Sequence, residues 1–176
     1  MNESLVTVKD AFGTYSVGYG DVVKYHGRRF IAGAAIGFQC LSLAFSELSP
    51  GDPAERSKIR FFSGMTGLGV RDAVEMITRC VSSGRYAADT EVVRNDSAPS
   101  TPGSGRFYYE VFYGTRMMRL RLKQGLVPEE FAPLALKDGA GIITADELRR
   151  LQEIKEGIAA HVIGNDPRDI FDFEIC

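Results

Sequence analysis

The spacing of hydrophobic positions predicts one unusual helix between residues 32 and 48. Apolar residues there surround the whole helical cylinder instead of forming one stripe, so the pattern indicates a helix buried on all sides. Its first part, Gly33 to Gly37, consists of small residues and one isoleucine, which lets another backbone or a ligand approach closely. The run Pro50-Gly51-Asp52-Pro53 predicts the end of this helix.

A different spacing, strict alternation of apolar and polar residues, appears in residues 106–113 and 116–123. Only Gly114 and Thr115 separate the two segments, so the pattern predicts a β-hairpin. The second segment predicts one core face and one basic, solvated face, formed respectively by Met118, Leu120 and Leu122 and by Arg119, Arg121 and Lys123.

Shorter patterns predict the other elements. Strands are expected at residues 5–8, 58–62 and 171–176, and helices at residues 21–25, 71–82 and 144–162. The last helix begins with the capping box Thr144-Ala145-Asp146-Glu147. Together the elements predict an α+β fold, a mostly antiparallel sheet with helices packed on one face and one buried small-residue helix.

Length and charge narrow the class of protein. The 176 residues are enough for one domain with a single core, and we expect residues 1–176 to form it. With 21 Lys and Arg against 23 Asp and Glu, the surface as a whole lacks the positive charge that nucleic acid requires. Residues 83–105 are rich in Ser, Gly, Pro, Asn and Asp and predict a flexible loop.

The sequence also indicates a cytoplasmic location. The first residues, Met1 to Ser4, carry no basic region of a signal peptide, and no uninterrupted apolar run predicts a membrane span. The three cysteines, Cys40, Cys80 and Cys176, are too few and too far apart to suggest a disulfide framework.

Candidate chemistry is concentrated just before the buried helix, at His26. A histidine beside a helix start is either a hydrogen-bonded structural residue or an acid/base group, and the sequence leaves the two interpretations about equal. Its neighbours Tyr25, Gly27, Arg28 and Arg29 favour an anionic ligand, because arginines bind carboxylates and phosphates. The arginines are alternatively ordinary surface charges.

A second candidate region precedes the helix expected at residues 71–82. Gly64, Thr66 and Gly67 lie between a predicted strand and this helix, where backbone N–H groups can hold an anion, although a plain tight turn is the alternative. Asp72 either orients His26 or only occupies the favourable first turn of the helix. Cys80 is expected to be a buried, inert thiol.

Several stretches resemble one protein family. Residues 26–38, His-Gly-Arg-Arg-Phe-Ile-Ala-Gly-Ala-Ala-Ile-Gly-Phe, resemble a segment His-Gly-His-x-Cys-Pro-Gly followed by a small-residue helix. Residues 69–80, Gly-Val-Arg-Asp-Ala-Val-Glu-Met-Ile-Thr-Arg-Cys, are similar to Cys-Ala-Val-Asp-Ala-Ile-Gln-x-Leu-Thr-Gly-Cys, and residues 103–106 are similar to the Gly-Lys-Gly-Asn start of a hairpin. The chain thus resembles the E-subunit family of formylmethanofuran dehydrogenase over most of residues 20–123.

The resemblance implies a metal site, usually zinc, held by histidines and cysteines of these segments. Of the implied ligands this chain keeps His26 and Cys80, whereas Arg28 replaces the second histidine and Gly69 replaces a cysteine. Two ligands are too few for a closed tetrahedral site. The sequence therefore favours loss of the metal, with Arg28 and Arg29 supplying positive charge in its place.

The resulting functional hypothesis is a cytoplasmic homodimer that binds a small anionic metabolite in a pocket at the start of the buried helix. If the protein is an enzyme, His26 is the expected general acid/base, with Asp72 beside it. One alternative is a zinc- or iron-binding protein that uses His26 and Cys80. Another is a non-catalytic accessory subunit of a larger oxidoreductase, which docks through the basic face of residues 119–123.

Overall fold

The structure, a computed structural model, describes residues 4–176, so residues 1–3, on which the signal-peptide expectation partly rests, lie outside the described residues. The strands are β1 (Leu5–Lys9), β2 (Thr14–Gly18), β3 (Ala54–Glu55), β4 (Ile59–Ser63), β5 (Tyr86–Ala88), β6 (Tyr108–Tyr113), β7 (Arg116–Leu122) and β8 (Phe171–Ile175). The helices are α1 (Tyr19–His26), α2 (Ile31–Leu48), α3 (Leu68–Thr78), α4 (Phe131–Gly139), α5 (Ala145–Gly164) and α6 (Pro167–Ile170). The predicted α+β fold is confirmed.

Two sheets form the β part of the fold. The larger has the order β5-β4-β6-β7-β8 and is antiparallel except for the β4–β5 pair, and the smaller has the order β2-β1-β3. The predicted hairpin is confirmed, with Tyr109 opposite Leu120 and Val111 opposite Met118. These four side chains are buried, as the alternation requires. The expected edge strand at the C-terminus is β8.

Helix α2 lies at the centre of the fold. It contacts α1, α3, α5 and α6 as well as β1, β6 and β7, because its surface is apolar on every side. By length and composition it is also the one helix among the described residues that is apolar enough to cross a membrane, a property that the sequence patterns did not indicate. Since 78% of it is buried inside the fold, α2 fits the core helix of a soluble protein.

The first turns of α2 and α3 lie directly against each other. A Cβ atom on Gly69 would be 2.4 Å from the Phe30 carbonyl oxygen and 2.7 Å from the Ala34 nitrogen, distances that only glycine tolerates. One helical turn further, a Cβ atom on Gly37 would be 2.9 Å from Cβ of Ala73. The predicted close approach to the small-residue stretch is therefore made by another helix.

Helix α3 begins and ends earlier than the sequence pattern predicts. It starts at Leu68, immediately after the glycine-containing loop, and ends at Thr78 because Arg79 adopts a left-handed conformation with φ of 61°. The Glu75 carboxylate accepts hydrogen bonds from the Val81 and Ser82 N–H groups just beyond this point. These bonds stabilise the turn that replaces the last predicted helical turn.

The segment of residues 83–105 contains structure that its composition does not predict. Strand β5 lies in it and pairs with β4. Further along, the buried residues Val93 and Ala98 pack with Tyr108 on the outer face of the larger sheet. Helix α4 and strand β2 were likewise not predicted, because neither has a strong apolar period of its own.

Candidate functional site

The fold brings His26 and Asp72 together from positions 46 residues apart. His26 is the last residue of α1, and Gly27 turns the chain there with φ of 82°. His26 Nδ1 lies 2.7 Å from Asp72 Oδ2 on α3, and the histidine side chain is 5% exposed. This is the geometry expected of a carboxylate that orients an imidazole ring.

The two ring nitrogens of His26 have different surroundings, because Nδ1 contacts Asp72 and Nε2 does not. An ionised carboxylate only accepts hydrogen bonds, so Nδ1 carries the hydrogen that binds Asp72. Nε2 is buried and has no hydrogen-bond partner among residues 4–176. Since buried polar atoms are normally hydrogen-bonded, Nε2 is a candidate contact for a small molecule.

Both predicted anion-binding arginines have carboxylate partners within the protein. Arg28 donates two hydrogen bonds to Glu156 on α5, from Nε at 3.0 Å and from Nη2 at 2.6 Å. Arg29 Nη2 lies 3.6 Å from Asp138 on α4, and its guanidinium lies 5.5 Å from the centre of the Phe30 ring. Both side chains are exposed at the surface, as is Tyr25. Their positive charge is therefore already matched.

The backbone of Gly64, in the glycine-containing loop before α3, is hydrogen-bonded to residues at the start of β6 and just before it. The Gly64 N–H donates to the Tyr108 carbonyl at 2.8 Å, and its carbonyl accepts from the Arg106 N–H. Thr66 is exposed. Gly67 differs from both, because it precedes the first turn of α3 and lines a cleft.

This cleft lies where α2 and α3 begin and has a volume of about 100 Å³. Its lining comes from the starts of the two helices, from nearby loops and from α4 and α5: Phe30, Ala32, Gly33, Ile36, Met65, Gly67, Leu68, Gly69, Val70, Pro102, Phe107, Val127, Phe131, Lys155 and Ile158. Among these lining residues Lys155 alone has a polar side chain. The cleft is thus an apolar site with one cationic group.

Lys155 is buried without a hydrogen bond to any described residue. Its side chain is 6% exposed, and Nζ lies 3.9 Å from Asp138 Oδ2, which is too far for a hydrogen bond. The ammonium also lies 5.3 Å from the centre of the Phe30 ring. Burial lowers the pKa of Lys155 and Arg29 lowers it further, whereas Asp138 acts in the opposite direction.

Sequence reasoning missed Lys155, although a signal was present. Position 155 follows Leu151 by four residues and precedes Ile158 by three, so it lies on the apolar stripe of α5. A lysine at a core-facing position is unusual, because lysine is seldom fully buried unless it is paired. That mismatch between residue type and position marks it as a candidate.

The two residues implied as metal ligands, His26 and Cys80, lie near different ends of α3. Cys80 is buried and donates its Sγ–H to the Ile59 carbonyl, and burial raises the pKa of its thiol. At 1.5 Å per residue, Asp72 and Thr78 are separated by about 9 Å along α3, so Cys80 lies toward the end opposite His26. In the part of the chain that the structure describes, no three His, Cys, Asp or Glu residues are grouped to hold a metal ion.

Comparison with known proteins adds no family to this description. No protein-family model matches the chain, and no curated protein matches it significantly. The resemblance to the E-subunit family of formylmethanofuran dehydrogenase stays a prediction from the quoted residues.

Proposed function

We propose that the protein binds a small molecule with an apolar body and an anionic head group in the cleft at the starts of α2 and α3. The observation that carries the proposal is Lys155, an ammonium group without a hydrogen bond in an otherwise apolar lining. Burying a charge is costly unless the charge is paired, and an anionic head group would pair it. Clefts of this type, apolar with one well-placed polar group, are typical of small-molecule sites.

The two helix starts give independent support for a negative head group. Neither the residue before α2, Phe30, nor the residue before α3, Gly67, caps its helix with a side-chain hydrogen bond. The first N–H groups of a helix and the helix dipole both favour negative charge. Residues of both first turns line the cleft. An anion in the cleft would therefore lie near two helix ends that favour negative charge.

The size of the cleft suggests a compact ligand. Its volume is about 100 Å³, and a cavity of about 150 Å³ in another protein holds a benzene-sized group. A branched or short aliphatic body, or one aromatic ring, is the expected apolar part. The head group would then be a carboxylate or a phosphate.

In this proposal His26 is the acid/base group if the bound molecule also reacts. Its ring lies 6.0 Å, centre to centre, from the ring of Phe30, which is part of the cleft lining. Asp72 holds one ring nitrogen, so the other is the atom that would transfer a proton. His26 and Asp72 do not line the cleft themselves, so a reacting ligand would have to extend past Phe30.

Calorimetric titration with a series of compact carboxylates, for example 4-methylpentanoate and phenylacetate, tests the binding proposal. Val127 lines the cleft and Val92 is 73% exposed elsewhere, so Val127→Trp and Val92→Trp form a matched pair. We expect the first variant to weaken binding by about tenfold or more and the second to leave it unchanged. Failure of every carboxylate and phosphate to bind, or equal binding by both variants, would contradict the proposal.

The alternative of an accessory subunit receives less support than the cleft. Arg119 and Arg121 on the basic face of β7 are held by Glu174 and Asp96 of the same chain. Lys123 donates to the Arg168 carbonyl. A partner would have to displace these contacts, which makes the face a poor docking surface for an acidic protein.

The cytoplasmic homodimer and the family resemblance remain parts of the proposal. The proposed location rests on the small number and wide spacing of the three cysteines in the sequence. Strand β8 is the last strand of the larger sheet, so its outer edge is a candidate for pairing with a second copy. Sedimentation equilibrium would test the dimer, and a purely monomeric protein would contradict it.

A further inference from the structure

We propose that Lys155 is a nucleophilic lysine that forms an imine with an aldehyde or ketone ligand bound in the cleft. The inference rests on the proposed function, because the carbonyl compound would occupy the same cleft. It goes further by assigning a covalent reaction and a substrate class, apolar oxo acids or aldehydes.

The position of the amine supports this role. Lys155 lies on α5, a regular helix whose neighbouring residue Ile158 also lines the cleft, so the side chain is held on a rigid element. Nζ donates no hydrogen bond to residues 4–176, so no strong contact has to be broken before it attacks. The packed surroundings limit the other directions in which the side chain can lie.

Burial of Lys155 among the apolar lining residues favours the neutral, reactive form of its amine. Asp138 on α4 is the carboxylate near it, and Arg29, before α2, is the nearby cation that also pairs with Asp138. Burial is the main cause of the lowered pKa of Lys155, Asp138 acts against it, and Arg29 lowers the pKa by less than Asp138 raises it. A buried lysine beside another cation is the usual way in which proteins obtain a nucleophilic amine near neutral pH.

A purely structural lysine would be expected to have better partners. Arg28, which has a structural ion pair, donates two hydrogen bonds to Glu156 at 2.6 and 3.0 Å. Lys155 has one carboxylate at 3.9 Å and the face of the Phe30 ring. These contacts moderate the cost of the charge but provide no hydrogen-bond acceptor for Nζ among residues 4–176.

The reaction is balanced without an oxidant or a cofactor. The lone pair of the neutral amine forms a bond to the carbonyl carbon, and the carbonyl π electrons move to oxygen. The Asp138 carboxylate, 3.9 Å from Nζ, receives one proton from the nitrogen after a small side-chain movement and passes it to this oxygen, which gives the carbinolamine. The hydroxyl group then leaves as water with the remaining proton of the nitrogen, and the C=N bond forms.

Reductive trapping tests the inference. The full chain is incubated with 4-methyl-2-oxopentanoate and sodium cyanoborohydride, which delivers hydride to the imine carbon and makes the adduct permanent. Intact-mass measurement and peptide mapping locate the adduct. We expect one adduct on Lys155, and a rate of trapping that already rises at a pH below the ordinary lysine pKa, because the pKa of Lys155 is lowered.

The matched variants are Lys155→Arg, which keeps the charge but cannot form the imine, and Lys137→Arg on α4. Trapping should fall by about tenfold or more in the first and stay unchanged in the second. Circular dichroism and thermal unfolding check that both variants fold. Adducts spread over several exposed lysines, or equal trapping in Lys155→Arg, would overturn the inference.

The outcome also separates this inference from the proposed function. If 4-methylpentanoate, which has no carbonyl group beside its carboxylate, binds in the cleft but the oxo acid gives no adduct on Lys155, the imine is wrong and the binding proposal stands. If neither compound nor any other anion binds, both are wrong.

Discussion

Two regions of the molecule hold cations that are at least partly buried, and the surroundings of these cations are opposite. On the outer face of the larger sheet, Arg121 donates to both carboxylate oxygens of Asp96 at 2.8 and 2.9 Å and shares Glu174 with Arg119. In the cleft, Lys155 has one carboxylate at 3.9 Å. Hydrogen bonds raise the pKa of both arginines, led by Glu174 for Arg119 and Asp96 for Arg121. Burial lowers the pKa of Lys155.

The difference separates cations with close carboxylate partners in the fold from Lys155, which in our proposal a ligand would pair. A charge with close, well-aligned partners contributes to stability, and its removal leaves a carboxylate unpaired. A buried charge without such partners costs stability, and such costs are concentrated at functional sites. From the sequence alone the alternating arginines of β7 were expected on a solvated face, and Lys155 was not singled out.

The largest effect is expected where the helices that form the cleft touch. Gly69→Ala places a Cβ atom against the Phe30 carbonyl oxygen and the Ala34 nitrogen, so α3 must move away from α2. We expect a loss of about 3 kcal/mol in the free energy of unfolding, measured with urea. The control is Gly157→Ala on α5, where the added Cβ meets nothing within 4 Å and should stabilise by about 0.5–1 kcal/mol. Equal effects of the two changes would show that the helix starts are not tightly packed.

The second-largest effect is expected for the Arg121–Asp96 ion pair on the outer face of the larger sheet. Arg121→Met leaves the Asp96 carboxylate, 16% exposed, without its two strongest hydrogen bonds. We expect a loss of about 2 kcal/mol, less than for a fully buried pair because water reaches both groups. Arg94→Met, at an exposed pair with Glu91, is the matched control and should change stability by less than about 0.5 kcal/mol. If Arg121→Met is harmless, the outer-face ion pairs do not stabilise the fold.

Replacing the cation of the cleft by methionine should raise the free energy of unfolding, whereas the corresponding change at Arg121 should lower it. Lys155→Met keeps most of the side-chain volume and removes a poorly paired charge, so we expect a gain of about 1 kcal/mol at neutral pH. Because the folded pKa of Lys155 is lowered, the unfolded chain binds more protons between the folded and ordinary pKa values. The gain should therefore shrink as pH rises through that window. Destabilisation by Lys155→Met would mean that its charge supports the fold.

The smallest expected effect is a pH dependence at Asp96. Burial would raise the pKa of Asp96, but hydrogen bonds from Arg121 and from the Ala98 N–H, together with the charges of Arg121 and Arg119, bring it below its ordinary value. The stabilisation from a lowered carboxyl pKa is present above the ordinary pKa of about 4 and is lost as pH falls through the folded pKa. The free energy of unfolding of Asp96→Asn should thus approach that of the wild type as the solution is acidified. A difference that does not change with pH would contradict the assignment of this ion pair.

Part of the candidate site was accessible from the sequence because its signals are local. The sequence left two roles open for Asp72, orienting His26 or occupying the first turn of its helix. The structure places the Asp72 carboxylate 2.7 Å from His26 Nδ1, whereas the first turn of α3 contains no acidic residue. The partners of Arg28 and Arg29 were not predictable, since Glu156 and Asp138 lie more than a hundred residues away along the chain. Charge balance over such separations depends on how helices pack, which no local pattern reports.

Elements with long and regular patterns were already specified by the order of the amino acids. The all-round apolar surface of α2 required a central position, the alternation in β6 and β7 required a hairpin, and the capping box set the start of α5. Which charges are matched and where a cleft remains became known only from the packing of the folded chain. The physical reason is that secondary structure follows from neighbouring residues, whereas burial and pairing of a side chain such as Lys155 depend on distant segments that meet when the chain folds.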